Sequence, residues 1–365
     1  MIWILTAGFG DGHNTAAHSV GEALEKLCPG EEVEVCDLVT EAMPRTAAVT
    51  KELYQLAITH MPSAWRLVYD IMGRPNVTGP DSTWHAGLTK YLKRRLAEKK
   101  PRLIISTYPI YSVLLETLSR QQAVPPLCTV ITDSISVNRV WVISPSDLFC
   151  VADDETKKVV SGFGVPESKV RVTGFPVSLA FTEPLPDLPP VTAQRILYLP
   201  STTGRRVEET LNALRPQLLD GVKLTLPVGK HRSRLHHILR RFTDSLPPDT
   251  VEIIGWTTRI PEFLRTHDVV ICKAGGAILH EVLAAKIPAV IDYVVPGQEE
   301  GNAEQLTRID GGIVTQSARE TSAAVASILT NNGAVGRRMR AGMTKLSVPD
   351  AAIRTAKAAL AVAEK

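Results

Sequence analysis

A chain of 365 residues has the length of two ordinary domains, at ~150 residues each. Its composition, 44% hydrophobic and 22% charged, carries too much apolar surface for a disordered chain, and no run reaches the ~18–20 apolar residues of a membrane span. A net charge of +3 is close to neutral and speaks against a general nucleic-acid binder.

In chain order, the N-terminus Met1-Ile-Trp-Ile-Leu5 runs into a glycine turn without the basic start and cleavage site of a secretory signal, so none is expected. A strand over 3–7 ends in Gly8-Phe-Gly-Asp-Gly-His13. Ala16, Val20, Ala23, Leu24 and Leu27 then recur at helical spacing, and a second strand covers 33–37. This is a βαβ unit. Apolar strands follow at 103–107, 127–132, 148–152 and 170–174, and their alternation with helices predicts a parallel sheet covered on both faces. Pro176, Pro184, Pro186, Pro189 and Pro190 crowd one stretch, which reads as a semi-rigid linker. A second α/β series has strands at 196–199, 224–226, 251–254, 269–272, 289–292 and 312–315, and the alanine-rich 350–365 reads as a helix. The expected organisation is 1–178, a linker over 179–192, 193–345, and a C-terminal helix over 346–365. Cys28, Cys36, Cys128, Cys150 and Cys272 lack metal or disulfide spacing and read as buried small residues in a reducing compartment.

Ligands of parallel sheets bind beyond the carboxyl ends of strands, so chemistry is sought in the loops there. Gly8, Gly10 and Gly12 let the backbone approach a ligand closely, and the helix start behind them offers free N–H groups. The spacing is G-x-G-x-G-H and not the dinucleotide G-x-G-x-x-G, although Asp37 stands at the end of the second strand where that fingerprint wants an acid. His13 puts an imidazole at the helix start, as general base or substrate ligand, or as a histidine capping the turn. Asp11 is an alternative base, an orienting partner or a helix cap.

The strongest signal runs from Cys272-Lys-Ala-Gly-Gly-Ala-Ile-Leu-His-Glu281 to Pro296-Gly-Gln-Glu-Glu-Gly-Asn302. Gly275 and Gly276 turn a strand into a helix whose N–H groups face an anion, and Lys273 can add charge. Glu281, further down the helix, can accept both hydroxyls of a ribose. The loop after the next strand suits a neutral polyhydroxylated ligand, because amides and carboxylates pair with sugar hydroxyls.

The motifs KAGGAILHEVLAAKIPAVI and PGQEEGNAEQL resemble glycosyltransferase family 28, especially monogalactosyldiacylglycerol synthases and processive diacylglycerol glucosyltransferases. The peptidoglycan N-acetylglucosaminyltransferase that makes lipid II is a more distant likeness. GFGDGHNTAAHSVGEAL matches the family's N-terminal glycine loop, histidine and helix. The resemblance implies a GT-B fold, with two Rossmann-like domains whose parallel sheets face a cleft. It also implies a UDP-sugar donor in the C-terminal domain and inverting transfer to a lipid hydroxyl, that of diacylglycerol, at the N-terminal domain. By position, Glu281 would hold the ribose, and Gly275 and Gly276 would face the diphosphate. Gln298, Glu299 and Asn302 would hold the sugar, and Gly255, Trp256 and Thr257 would offer backbone groups to uracil. His13 would act on the acceptor, with Asp11 or Asp133 as alternates, and Gly10, Gly12, Asn138 and Trp141 would line the acceptor side.

Three departures stand out. Leu199-Pro-Ser-Thr-Thr-Gly204-Arg-Arg206 lacks the glycine-rich opening usual in the family, leaving Arg205 and Arg206 to bind phosphate or to face solvent. Asn138 replaces a histidine usual in the Thr132-Asp133…Trp141 stretch. His280 stands where a smaller residue is common, against the diphosphate or at the core edge. No Asp-x-Asp occurs, so a metal-independent reaction without a cofactor is expected. Lys90, Lys93, Arg94, Arg95, Lys99, Lys100 and Arg102, with Tyr91, Leu92 and Leu96, read as a basic amphipathic helix on an anionic membrane surface, or as a solvated helix face. Residues 61–69 add aromatic candidates for anchoring. A second basic cluster, Lys230-His-Arg-Ser-Arg234 with His236, His237, Arg240 and Arg241, has no carboxylate or cysteine at ligand spacing, so its histidines do not read as a metal site. The resulting expectation is a cytoplasmic enzyme at the inner face of the membrane. A relative acting on an isoprenoid-linked or soluble acceptor, and a nucleotide-sugar sensor without turnover, are the alternatives.

Overall fold

Strands that are apolar at every position must be covered on both faces, and the twelve strands expected from that pattern all form. The computed structural model describes residues 1–8, 11–46, 49–50, 85–134, 137–185, 193–200, 203–229, 232–295 and 299–364. The first sheet holds β1 (Ile2–Leu5), β2 (Val33–Cys36), β3 (Leu103–Ser106), β4 (Leu127–Val130), β5 (Leu148–Val151) and β6 (Val170–Val172). The second holds β7 (Arg195–Tyr198), β8 (Lys223–Pro227), β9 (Val251–Ile254), β10 (Val269–Lys273), β11 (Ala289–Tyr293) and β12 (Gly312–Val314). Every pairing is parallel, in the orders β2-β1-β3-β4-β5-β6 and β12-β11-β10-β7-β8-β9.

Helices fill the crossovers. In the first series they are α1 (Asp11–Leu27), α2 (Leu38–Ala42), α3 (Ala86–Lys99), α4 (Ile110–Ser119) and α5 (Asp154–Gly162). In the second they are α6 (Gly204–Leu219), α7 (Arg232–Thr243), α8 (Ile260–Thr266), α9 (Gly276–Ala285), α10 (Glu300–Arg308), α11 (Ala318–Leu329) and α12 (Ala334–Met343), followed by α13 (Ala351–Ala363). Each sheet has one place where the strand order reverses, between β1 and β3 and between β7 and β10. Crossovers leave such a point in opposite directions, which opens a crevice at the carboxyl ends of the two strands.

Contacts divide the chain into Met1–Leu179 with Asp350–Lys365, and Ala180–Val295 with Glu299–Pro349. The terminal helix thus joins the first unit instead of standing alone. Ala352, Ala356 and Ala359 of α13 are fully buried and pack in one core with Ala17, Val20 and Leu24 of α1. Alanine on both helices permits close approach of their backbones. Thr355 also donates to the Thr173 hydroxyl at 2.9 Å inside this core. Burying such a helix face at ~25 cal/mol per Å² gives the terminal segment a firm place in the unit.

On the opposite face, Leu88, Leu92 and Leu96 of α3 are buried against Trp3, Leu5, Ile104 and Leu114. The apolar side of α3 is therefore spent on the core and is withheld from a bilayer, contrary to the amphipathic reading of this stretch. Among the described residues no helix is long and apolar enough to cross a membrane.

Candidate functional site

The reversal point of the first sheet is built by the loops after β1 and β3. His13, in the first turn of α1, has Nδ1 3.0 Å from the Thr107 carbonyl and 2.7 Å from the Thr132 hydroxyl. A carbonyl can only accept, so Nδ1 carries the proton and donates, and Nε2 of the neutral ring keeps its lone pair. Nε2 has no hydrogen-bond partner among the described residues. The ring meets Tyr108 edge-on at 4.8 Å and lies 6.0 Å from the Trp141 ring. The Thr107 hydroxyl donates to the His13 carbonyl at 3.2 Å, so one residue grips the histidine twice. Burial holds the imidazole pKa below its ordinary 6.5, while the charge of Asp133 and the Thr107 carbonyl pull it back up.

Asp133 follows β4 and takes the Trp141 indole N–H at 2.6 Å. Its own pKa is raised by burial and restrained by His13 and by that indole bond. Trp141 is fully buried, so its surface meets no ligand and its polar end serves Asp133. Asn138 accepts from the Val140 N–H at 3.0 Å and caps a short 3-10 turn over Arg139–Val142. Gly12 lies in the first turn of α1. Gly10 and the side chain of Asp11 fall outside the described residues. Asp37, the acid that a dinucleotide site would turn toward a ribose, instead takes the Gly8 N–H at 3.0 Å and the N–H and hydroxyl of Thr40 at 2.9 and 2.6 Å. Both its oxygens are engaged in holding the first glycine turn to α2.

In the second sheet, β10 passes through Gly275 into α9. Gly275 is the N-cap residue, with φ −67° and ψ 143° and no side-chain cap, so the first N–H groups of α9 point outward unserved by a side chain. Its φ suits any residue; the reason for glycine is space. A Cβ there would stand 3.1 Å from Lys273 Cε and 3.5 Å from Glu299 Oε1. Lys273 Nζ and Glu299 Oε1 form an ion pair at 2.7 Å beside the turn, and Glu299 Oε2 accepts the Val295 N–H at 3.1 Å. Asn302, at the start of α10, donates to the Ala274 carbonyl at 3.1 Å. Glu299 and Asn302 thus brace the turn and are buried, rather than standing free in a loop. Gln298 lies outside the described residues.

Glu281, further along α9, is half-buried with neither a hydrogen bond nor an ion pair among the described residues. Desolvation alone pushes its carboxyl up to about 7. Two acceptor oxygens are held near an uncapped helix start with no donor to satisfy them. His280, beside it in sequence, is also half-buried.

Beyond β9, Gly255 is half-buried, Trp256 is 74% exposed, and the Thr257 hydroxyl accepts the Arg259 N–H at 3.1 Å. Arg206 reaches the carbonyls of Gln316 and Asp292 at 3.2 and 3.5 Å, whereas Arg205 pairs with Glu209 in solvent. Sequence reasoning missed Thr107 and Thr132, which set the tautomer of His13, and the buried Tyr198–Asp292 pair at 3.2 Å beneath the strand ends of β7 and β11. Thr107 directly follows β3, and only the sheet order puts β3 next to β1.

The basic stretch at 90–102 is largely neutralised by the unit's own acids. Arg95 reaches Glu34 and Glu41 at 3.4 and 3.5 Å, Lys99 pairs with Glu34, and Arg102 grips Glu31 through two nitrogens at 2.7 and 2.5 Å. Arg94 meets Glu98 at 3.6 Å and lies over the Tyr91 ring. Lys90, Lys93 and Lys100 remain exposed. Residues 61–69 and residues 186–192 of the proline-rich stretch lie outside the described residues. Cys36, Cys128, Cys150 and Cys272 are buried and free, and Cys28 is half-buried.

Residues 13–177 match the family model of monogalactosyldiacylglycerol (MGDG) synthase. The processive diacylglycerol beta-glucosyltransferase of Bacillus thuringiensis (strain Al Hakam) is 28% identical over 341 residues, covering 91% of this chain and 86% of that protein. Among solved structures, MurG of Acinetobacter baumannii aligns with a TM-score of 0.62 at 14% identity over 99% of both chains. The spinosyn rhamnosyltransferase SpnG complexed with thymidine diphosphate aligns with a TM-score of 0.64 at 15% identity, over 98% of this chain and 100% of that one. The MnaA–UDP co-structure from S. aureus aligns at 0.63 and 13% identity, over 96% and 93%. These likenesses agree with the GT-B fold expected from the sequence.

Proposed function

We propose, from the premise that this chain resembles glycosyltransferase family 28 along most of its length, that it is an inverting glycosyltransferase. It moves a hexose from a UDP-sugar to a lipid hydroxyl, that of diacylglycerol. The observation that carries this reading is Glu281, a half-buried carboxylate without a partner close to the uncapped start of α9. A nucleoside diphosphate supplies what both lack: a ribose diol to donate to the carboxylate and a diphosphate for the helix N–H groups. Lys273, braced by Glu299, adds a cation beside that turn. The names of the similar proteins support the same donor class and a diacylglycerol acceptor.

On the acceptor side, the proton of the attacking hydroxyl passes to Nε2 of His13, the nitrogen left free by the Thr107 carbonyl. The acceptor oxygen then bonds to the anomeric carbon as the bond to the UDP oxygen breaks, which inverts that centre. Charge grows on the departing diphosphate, where the α9 N–H groups and Lys273 are already aimed. On His13 the imidazolium that forms is offset by the charge of Asp133, which the Trp141 indole holds in place. The absence of Asp-x-Asp from the sequence supports a reaction without a bridging metal. We read the enzyme as peripheral to an anionic membrane.

The test is transfer of a labelled sugar from a panel of UDP-sugars to diacylglycerol in mixed detergent micelles, with the anomeric form of the product read by NMR. A β-linked glycolipid from an α-linked donor is expected. UDP-sugar binding without transfer to any lipid, isoprenoid or soluble acceptor would establish the sensor reading instead.

A further inference from the structure

The second basic cluster, which the proposed reaction does not use, lies on α7. Its sequence Arg-Ser-Arg-Leu-His-His-Ile-Leu-Arg-Arg-Phe-Thr contains no acidic residue. Leu235, Leu239 and Phe242 are buried, so the helix is fastened to its unit by one face. Its packing is close: a Cβ on Gly204 of α6 would stand 3.5 Å from Ile238 and 3.8 Å from Leu235. His236 with Arg240, and His237 with Arg241, are i,i+4 neighbours on the opposite side, and all four are exposed.

Little neutralises this side. Arg240 approaches Asp244 at 3.9 Å with both side chains at least 70% exposed, a geometry worth almost nothing in water. Arg241 has no ion pair among the described residues. Arg215 lies over the Phe242 ring at 5.2 Å and donates to Ser245 at 2.7 Å, adding a fixed cation at the C-terminal end of the helix. In the 90–102 stretch, by contrast, Glu31, Glu34 and Glu41 answer Arg95, Lys99 and Arg102, and Glu98 meets Arg94. An acid-free cationic helix side, locked to its unit by a buried apolar side, has the charge complementary to an anionic lipid surface. Its exposed rings are the imidazoles of His236 and His237, and its Phe242 is buried, so it presents no Phe, Tyr or Trp as a stacking platform.

We infer that α7, through His236, His237, Arg240 and Arg241, docks the second unit on an anionic bilayer. The inference rests on the lipid-acceptor reading for its choice of surface, and it moves the electrostatic contact from the 90–102 stretch to the unit that would hold the donor.

The test is co-sedimentation of the full chain with phosphatidylcholine vesicles containing or lacking phosphatidylglycerol, at low and high salt. Wild type should bind the phosphatidylglycerol vesicles, lose that binding at high salt, and ignore pure phosphatidylcholine. R240E/R241E should lower partitioning by more than about thirtyfold, the worth of two basic residues at ~1 kcal/mol each, and K90E/K93E should lower it far less. The milder R240Q/R241Q, expected to lie between, guards against a folding defect, which circular dichroism checks. Transfer to diacylglycerol in neutral detergent micelles should be unchanged in R240E/R241E. Unchanged vesicle binding in the α7 variants, loss through K90E/K93E alone, no binding by wild type, or tighter binding of a single-stranded oligonucleotide than of vesicles overturns the inference. Vesicle binding that depends on α7, without transfer in micelles, leaves the surface standing and removes the acceptor reading.

Discussion

After β1 the chain enters α1 through a turn whose titratable group is clamped: His13 is held by Thr107 and Thr132, with Asp133 and Trp141 behind it. After β10 the chain enters α9 through a turn whose supports are clamped and whose ligand groups are not. Lys273, Glu299 and Asn302 brace Gly275, while the α9 N–H groups and Glu281 face no described partner. Both turns stand where the strand order of a sheet reverses. A group that must move a proton needs a fixed tautomer, so its other nitrogen is committed in advance. Groups that bind a polar ligand gain affinity by staying unsatisfied until it arrives, at the cost of desolvation in the empty protein.

The sharpest way to break this division is His13→Ala. Turnover should fall ~10²–10⁴-fold, the usual worth of a general base, with UDP affinity by calorimetry within about twofold of wild type. An equal loss in both would merge the two turns into one donor site. The folded pKa of His13 lies below its ordinary 6.5, so with UDP-sugar saturating and Glu281 already engaged, wild-type kcat/KM for the acceptor should be level at neutral pH and decline as pH falls through that lowered value. The His13→Ala variant should lack this acid limb.

Glu281→Ala comes next, with an expected weakening of UDP binding by about tenfold or more, the scale of ~1.5–3 kcal/mol for hydrogen bonds to a charged group. Its conservative partner, Glu281→Gln, separates binding from stability. The folded pKa of about 7 exceeds the ordinary unfolded value, so the folded protein holds the extra proton between about pH 4.5 and 7. That group's contribution is most favourable below the unfolded pKa and is lost as pH rises through 7. Glu281→Gln should therefore unfold at higher temperature than wild type at pH 8, by an amount on the order of 2 kcal/mol, and the gain should vanish near pH 5.

Trp141→Phe should have the smallest effect, about tenfold or less in kcat, the net worth of one hydrogen bond at ~0.5–1.5 kcal/mol. Without the indole, Asp133 is more easily protonated and does less to raise the His13 pKa. The acid limb of kcat/KM should move to lower pH. A KM change with an unmoved pH profile would make Trp141 a packing residue alone.

Much of this was readable before any folding. All twelve strands announced themselves by continuous apolar runs, and Gly275 with Glu281 followed from a strand-to-helix turn at known helical spacing. Other assignments needed contacts between distant residues. Glu299 and Asn302, read as sugar ligands, have their described bonds on Lys273, Val295 and Ala274. The 90–102 stretch loses much of its charge to acids some sixty to seventy residues upstream.

The sequence by itself determined two parallel α/β halves of an enzyme-like chain, because periodicity and glycine placement are local properties. Length implies two domains, and a net charge of +3 speaks against a general nucleic-acid binder. Only the tertiary structure decided which cations stay unpaired, which histidine nitrogen is free, and that the last helix returns to the first unit. Those outcomes depend on which strands become neighbours and which carboxylates lie within reach, and Coulomb and hydrogen-bond energies depend on distance in space rather than along the chain.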